Sequence, residues 1–257
     1  MKKRLMPIGS AAIVFGCVLV AWRLVILAFS VPSYLLPTPL EVVKAAWLRL
    51  PNLWASLMIS AEAATGGLLA SIVVGVLIAL IFARSQWARR MFFPYTILLQ
   101  TVPILAIAPM IIVVLGAIGL VGLLPKAIIS AYLCFFPVTI GMVKGLTSPD
   151  PLQLDLMRTY CATRTQTFVK LRAPASAPFF FASMKIGVAA ALVGAVVAEV
   201  TRSEDGGLGA RLLAGSYYGQ TVQIWAALFA AAALSAALVG LIGLADRIVS
   251  RRMGFAQ

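Results

Sequence analysis

Residues 155–174 read DLMRTYCATRTQTFVKLRAP, and they separate two long apolar runs of the chain. The stretch carries four cationic residues, Arg158, Arg164, Lys170 and Arg172. The whole chain is 62% hydrophobic and only 11% charged. Because soluble domains are close to half apolar and a quarter charged, this composition predicts an integral membrane protein. A basic segment of this length between two membrane spans indicates a role beyond connecting them.

The charge pattern and the missing residue types exclude several classes of function. The net charge is +13, but the charges fall in short clusters at the ends of apolar runs, which is typical of membrane orientation signals rather than nucleic-acid binding. The chain contains no histidine, and Cys17, Cys134 and Cys161 do not have zinc-site spacing. We therefore expect no catalytic residue, no metal site and no cofactor bound by this chain, and we interpret the cysteines as small apolar fillers.

Apolar runs long enough to cross a bilayer, about 20 residues each, occur six times. They cover residues 7–30, 53–83, 92–115, 122–145, 179–201 and 221–245. The start MKKR resembles a signal peptide, but Arg23 interrupts the apolar run, so we expect an uncleaved first span. The predicted fold is all-α and polytopic, with one transmembrane domain over residues 1–257. Within it, residues 1–50 hold the first span and an external segment, and residues 51–250 form the core.

The distribution of lysine and arginine predicts the orientation of the spans. If the N-terminus is cytoplasmic, fifteen of these residues fall on the inner side and five on the outer side, with Arg23 inside a span. The excess on one side places both termini in the cytoplasm. Outside, residues 32–52 have the pattern of a short amphipathic helix at the membrane surface, whereas the glycine-rich residues 202–220 are expected to turn back without folding by themselves.

The inner loop between the fourth and fifth spans, residues 146–178, has the pattern of two short helices. Asp150-Pro151 is a typical helix start, and Thr163 or Thr165 is expected to cap the second helix. Pro174 and Pro178 are expected to end that second helix and to begin the next span. The resulting apolar face with cationic flanks fits either a surface that binds another protein or a helix that rests on anionic lipid.

The 155–174 stretch resembles the E-A-A-x-x-x-G…I-x-L-P signature of permease subunits of bacterial ATP-binding-cassette (ABC) importers. On that pattern Asp155 takes the place of the glutamate and Pro174 that of the final proline, with Leu156, Met157, Leu171 and Ala173 between them at the family spacing. Cys161 stands where the family has glycine. Since a residue with a Cβ disfavours positive φ, either the turn at Cys161 stays in an ordinary region or it tolerates strain.

More of the chain resembles the nitrate/sulfonate/taurine-type permeases of this family. The resemblance covers about residues 50–250 and is carried in order by PILAIAPM at 103–110, FFPVTIGMVKGL at 135–146, MKIGVAAALVGAVVAEV at 184–200 and GGLGARL at 206–212. The segment YYGQTVQIWAAL at 217–228 is also similar to members proposed to import thiamine-pyrimidine precursors or riboflavin.

This resemblance implies a type I, MetI-like permease in the bacterial inner membrane that works as a homodimer. Its partners would be two cytoplasmic ATPase subunits, an external solute-binding protein and membrane lipid, with no nucleic acid. The chain has no G-x-x-x-x-G-K-[ST] motif, so ATP and magnesium would be bound by the ATPase partner. The residues implied to contact that ATPase are Asp155, Leu156, Met157, Arg158, Tyr160, Cys161, Ala162, Arg164, Phe168, Leu171 and Pro174.

Charged and helix-bending residues inside the spans are candidates for the solute path. Glu62 either lines the path or accepts hydrogen bonds from neighbouring spans, and Glu199 either lines it or, as we favour, reaches the outer interface. Gln100, Pro103 and Pro109 belong to the third span, which the two prolines are expected to bend. Two other classes of protein were weighed against the importer permease. A secondary transporter driven by an ion gradient is the alternative, although no inverted repeat is evident, and a membrane-embedded enzyme lacks any familiar set of catalytic residues.

Overall fold

The computed structural model describes the backbone of residues 2–253, and the side chains of this range except residues 2–12 and 15. The described residues form eleven α-helices and no strand, which agrees with the predicted all-α class. The helices are α1 (Lys2–Ala28), α2 (Pro39–Leu48), α3 (Leu50–Arg84), α4 (Gln86–Leu99), α5 (Ile104–Ala117), α6 (Leu123–Leu146), α7 (Pro151–Thr159), α8 (Arg164–Thr167), α9 (Ala173–Thr201), α10 (Leu208–Tyr217) and α11 (Thr221–Arg252).

Within the described part of the chain, four helical segments are long and apolar enough to cross a membrane. They are α3, α6, the continuous segment Arg164–Thr201 that contains α8 and α9, and α11. The first predicted span lies on α1, whose apolar described part, Gly16–Ala28, is shorter than a span. The side chains of residues 7–12 in that span lie outside the described ones.

The third predicted span is broken into two helices. We expected one bent run over 92–115, but α4 and α5 meet at an angle of 97°. The break falls at Pro103, which precedes α5 in an extended conformation, while Pro109 lies inside α5. Counting this pair as one span gives up to five spans in the described residues. The expected bend is therefore present at Pro103, and the residues of the third predicted span form two helices.

Small residues hold α3, α6 and α9 together in the centre of the molecule. Ser130 of α6 lies against Gly67 of α3, and its Oγ donates a hydrogen bond of 2.8 Å to the carbonyl of Ala191 in α9. A Cβ on Gly194 would lie 2.6 Å from the Cα of Ser130, so only glycine permits this approach of α9 to α6. Small residues at contacts let helix backbones pack closely in membranes, where burial of apolar surface gives little drive.

Two segments outside the spans also form helices. The predicted helix in 32–52 is confirmed as α2, which begins with a capping box between Thr38 and Glu41 and has Pro39 in its first turn. The expectation that 202–220 would only turn back is wrong, since the helix α10 occupies Leu208–Tyr217. Glycines at positive φ flank this helix, Gly206 and Gly207 before it and Gly219 after it, so they mark its ends rather than a continuous turn.

Candidate functional site

The 146–178 loop begins with a fully capped helix. Asp150 precedes α7 and its carboxylate accepts a hydrogen bond of 3.0 Å from the N–H of Leu152. The side chain of Gln153 accepts one of 3.2 Å from the N–H of Asp150 in return. Pro151 occupies the first turn, where its missing N–H costs no hydrogen bond. Because these contacts satisfy the first turn locally, α7 needs little help from the rest of the chain to begin where it does.

Helix α7 ends in a turn that has Cys161 at its left-handed position, with φ of 49°. The N–H of Cys161 bonds to the carbonyl of Arg158, and the N–H of Ala162 bonds to that of Met157, both at 2.9 Å. These two bonds form a Schellman motif, which normally takes glycine where Cys161 stands. The question raised by the sequence is therefore answered: the turn is left-handed, and the chain tolerates the strain of a Cβ there.

The second helix of the loop starts as predicted but does not end as predicted. Thr163 caps α8 and forms a reciprocal pair of bonds with Gln166. The chain then passes through a π-helical turn, Phe168–Arg172, directly into α9. Pro174 lies in the first turn of α9, as predicted for the start of the next span, but it does not end the preceding helix, and Pro178 lies inside α9. The π turn precedes Pro174, where a wider turn relieves the crowding that a proline causes against the preceding carbonyls.

The residues predicted to contact an ATPase divide into an exposed set and an inward-facing set. Leu156 and Tyr160 are exposed, with Leu152 beside them on α7. Phe168 instead packs against the cluster of Phe82, Met142 and Leu146 in its own chain. The partly buried members are Met157, Ala162, Leu171 and Pro174, and the exposed members on the flanks are Asp155, Arg158, Cys161 and Arg164. The apolar face of this loop is thus formed by α7, with Phe168 as an anchor to the core.

Asp155 and Arg158 form an ion pair of 2.7 Å one turn apart on α7. Both side chains are largely exposed, at 61% and 82% of their surface respectively. An exposed pair of this kind contributes at most about 1 kcal/mol to stability. It does, however, place one negative and one positive group in a fixed order beside the exposed leucines and tyrosine.

The path candidates lie in different environments. Glu62 is exposed although it lies within the apolar helix α3, and Gln100, Pro103 and Pro109 are exposed around the break between α4 and α5. Glu199 has no exposed surface at all. The favoured expectation that Glu199 reaches the outer interface is therefore wrong.

The carboxylate of Glu199 joins α9 to α3 and to the beginning of α10. The hydroxyl of Ser60 donates to Glu199 at 2.8 Å, and the N–H of Gly209 donates to its Oε2 at 2.8 Å. Ser60 in turn accepts the N–H of Leu208 at 2.9 Å. A Cβ on Gly207 would collide with the carboxylate, so the position requires glycine. These five residues, Ser60, Glu199, Gly207, Leu208 and Gly209, are the Glu199 cluster.

Sequence reasoning did not assign Ser60 or Lys126 to any site. Lys126 is 3% exposed, and its ammonium group donates to the carbonyls of Asp205 and Gly206 at 3.2 and 3.1 Å. It therefore holds the turn that enters α10. The available signal was the glycine pair at 206–207 close to Glu199 in the sequence, because paired glycines indicate a backbone that another group approaches closely.

Comparison with known proteins identifies the class of this molecule. A family model described as "Binding-protein-dependent transport system inner membrane component" matches residues 71–255. The formylaminopyrimidine transport permease protein ThiX of Halalkalibacterium halodurans is 30% identical over 197 residues, which are 75% of each chain. The riboflavin transport system permease protein RibX of Chloroflexus aurantiacus is 28% identical over 91% of this chain and 86% of its own length.

The fold has a solved counterpart in the MetNI methionine ABC transporter, crystallised in inward-facing conformations. One chain of that structure superimposes with a TM-score of 0.56 and 18% identity, covering 82% of this chain and 98% of its own. The MetI-like fold is thereby confirmed. Its family transports solutes and is not a class of enzyme, as predicted. The chain belongs to the binding-protein-dependent transport system inner membrane components, and it is the permease component of an ABC importer.

Proposed function

We propose that this permease forms, with a second copy of itself, the path for a small organic solute and that α7 docks it to a cytoplasmic ATPase. The observation that carries the proposal is the exposed apolar face of α7, formed by Leu152, Leu156 and Tyr160 on a helix capped at both ends. An apolar face with a polar rim is the usual composition of a protein interface. The two ATPase subunits would bind ATP and magnesium, and an external binding protein would deliver the solute.

A rigid loop is suited to transmit movement from one subunit to another. The capping bonds of Asp150 and Thr163 and the turn at Cys161 fix α7 relative to α8, and α8 continues into α9. Phe168 attaches the same loop to the cluster around Phe82 and Met142. A displacement of α7 by an ATPase would therefore be passed to the spans instead of being absorbed by a flexible connection.

The ion pair of Asp155 and Arg158 supplies a test with an internal control. Asp155→Arg, or Arg158→Asp, should reduce co-purification with the ATPase at least tenfold and abolish uptake, while the permease stays folded. The double swap restores the pair within α7 but reverses the charges that a partner contacts. If the swap variant binds the ATPase as well as the wild type does, the pair only stabilises α7. The proposal that the ATPase contacts these two charges is then rejected.

The proposed arrangement has six spans, with α1 as the first and both termini in the cytoplasm, and the whole chain acts as one permease domain. Cys161 provides a natural label for orientation because it is exposed on the loop, whereas Cys134 is buried. In a Cys17→Ser background, a membrane-impermeant maleimide should label Cys161 in inside-out vesicles and not in intact cells. Labelling of Cys161 in intact cells but not in inside-out vesicles would place the 146–178 loop outside and overturn the proposed orientation.

Glu62 supports a path between two copies of the chain. It is exposed on α3 between apolar positions, and a charged group facing lipid there costs about 2.5–3.5 kcal/mol on insertion scales. A water-filled path or a second copy would remove that cost. In a background with Cys17→Ser and Cys161→Ser, Glu62→Cys should react with a water-soluble thiosulfonate much faster than Leu241→Cys, an exposed apolar position on α11. Equal, slow reaction at both positions would place Glu62 against lipid.

For the solute we propose a nitrogen heterocycle of the pyrimidine or flavin type, on the basis of the relatives named for formylaminopyrimidine and riboflavin. Purifying the complete importer in mild detergent and identifying the ligand on its binding protein tests this directly. A sulfonate, taurine or nitrate on that protein would overturn the substrate class and leave the permease assignment intact.

A further inference from the structure

Two adjacent cavities lie beside α2. The first has a volume of about 580 Å³ and is bounded by α1, α2 and α11, with Trp22, Val43 and Phe229 in its wall. The second has a volume of about 470 Å³ and lies between α2, the start of α3 and the turn that joins α10 to α11. Ala46, Leu53 and Ala226 line both cavities, so the two are adjacent and share part of their wall.

The two cavities differ sharply in chemistry. The wall of the first is formed only by apolar side chains. The second contains Arg49 and Arg211 together with Gln220 and Gln223, and among the described residues its wall has no carboxylate. Two adjacent cavities, one apolar and one cationic, match an amphiphile that carries a negative charge.

Neutral acceptors hold the two arginines in place without neutralising them. Arg49 donates to the side-chain oxygen of Gln223 at 2.7 Å. Arg211 donates to the hydroxyl of Ser56 and to the carbonyl of Asn52, both at 2.6 Å. Burial first, and the positive charge of Arg49 second, lower the pKa of Arg211 below its ordinary value. Each guanidinium has five N–H groups, so donors remain at both for an anionic group.

The exposed apolar face of α2, which also borders the first cavity through Leu40 and Val43, is suited to a membrane surface. Leu40, Val43 and Trp47 lie on one side of this helix and are 62–75% exposed. Tryptophan and leucine on a short helix are typical of a segment that lies in the headgroup region of a bilayer. With α2 in the headgroup region, the cavities beside it would lie where a lipid headgroup meets its acyl chains.

We propose that this site binds an anionic phospholipid, with its phosphodiester at Arg49 and Arg211 and an acyl chain in the apolar cavity between α1, α2 and α11. The charge complementarity at one end and the apolar wall at the other commit the site to a lipid rather than to a soluble anion. Two guanidinium groups around one phosphate provide charge-assisted hydrogen bonds, which are the stronger class.

The test measures thermal unfolding of the full-length permease in a neutral detergent with added lipid. Phosphatidylglycerol should raise the unfolding midpoint by several degrees more than phosphatidylcholine. Arg49→Gln combined with Arg211→Gln should remove that difference, with at least a tenfold weaker apparent affinity. Lys44→Gln, an exposed cation on α2 that lies outside the cavity wall, should keep it.

A second variant separates the acyl chain from the charge. Ala46→Phe places a large side chain in the wall that the two cavities share and leaves both arginines unchanged. It should reduce the phosphatidylglycerol effect on the unfolding midpoint. This test remains available if the double arginine variant fails to fold. Three results would overturn the proposal: equal effects of the two lipids on the wild type, an equal loss in Lys44→Gln, or a full effect of inorganic phosphate alone. Arginine variants that keep their lipid preference but lose the external binding protein would assign the pocket to an acidic side chain of that protein instead.

Discussion

The two ends of the helical segment Arg164–Thr201 differ in burial: a charged residue is buried at one end, and the loop at the other end exposes apolar residues. At its C-terminal end Glu199 is fully buried, and its hydrogen bonds come from Ser60 and Gly209 of the same chain. At its N-terminal end the loop exposes Leu156 and Tyr160. The first end is complete within one chain, whereas the second has the composition of a surface that a partner covers. Substitutions at the two ends should therefore differ in what they damage.

The largest effect on stability is expected from Glu199→Ala. It leaves the Ser60 hydroxyl and the N–H of Gly209 buried without their acceptor, and each such group costs about 1–3 kcal/mol, so the unfolding free energy should fall by about 3 kcal/mol. Thermal unfolding in detergent measures this. Glu62→Ala removes the same side chain from an exposed position and should have an effect below about 0.5 kcal/mol. Equal losses in the two variants would contradict the role given to the Glu199 cluster.

The next effect in size concerns Gly207. Gly207→Ala adds a Cβ that collides with the Glu199 carboxylate, and it does so at a φ of 114°, where side chains are strained. The expected loss is about 2 kcal/mol or more, since backbone strain alone costs about 1–3 kcal/mol. Gly219→Ala is the matched control, because its φ is 66° and no atom lies within 4 Å of the added Cβ. If the control loses as much stability as Gly207→Ala, the collision contributes nothing.

A smaller effect of opposite sign is expected at the other end of the helix. Cys161→Gly relieves the Cβ at φ of 49° and should raise the unfolding free energy by about 1 kcal/mol, less the greater flexibility of glycine in the unfolded chain. Cys161→Ala keeps a Cβ and should give no gain. A stabilised alanine variant would show that the thiol, rather than the backbone, is the source of the change.

The smallest effect on stability is expected on the exposed face of α7. Leu156→Ser and Tyr160→Ser should each change the unfolding free energy by less than about 0.5 kcal/mol, because surface substitutions away from special features rarely do more. The same variants should weaken ATPase binding. Phe168→Ser tests the contrast within the loop, since Phe168 packs on the core and its loss should destabilise the permease itself. If Leu156→Ser destabilises the chain as much as Phe168→Ser, the two faces of the loop do not differ.

Local signals in the sequence were sufficient for much of this architecture. The apolar runs located the long helices, and Asp150 and the threonines at 163 and 165 indicated the two helix starts of the loop, because a cap depends only on residues a few positions apart. Family spacing identified Cys161 as the position where glycine is expected, and only the structure decided between an ordinary and a left-handed turn there. The same reasoning failed at Pro174 and Pro178, because it treated a proline as a helix end and did not foresee a π turn that accommodates it.

Contacts between distant parts of the chain could not be predicted in this way. Ser60 and Glu199 are 139 residues apart, and nothing near Ser60 indicates that its hydroxyl meets a carboxylate. Lys126 was counted as an outer-side cation, although its ammonium group is enclosed by the carbonyls of Asp205 and Gly206. The glycine-rich segment after Glu199 was interpreted as a turn because its own sequence favours one. Its helix, α10, is stabilised by hydrogen bonds to Ser60 and Glu199, which lie on other helices and give no local signal.

The unbroken length of the segment Arg164–Thr201 has a mechanical consequence. Its 38 residues span about 57 Å at 1.5 Å per residue. A helix of that length behaves as a stiff rod, and the π turn at Phe168–Arg172 is where its winding changes. A tilt imposed on the loop end would therefore move Glu199 at the far end in the opposite sense about the contacts with α6. The core packing at Ser130 would act as the pivot, so a movement of the 146–178 loop would also displace the Glu199 cluster.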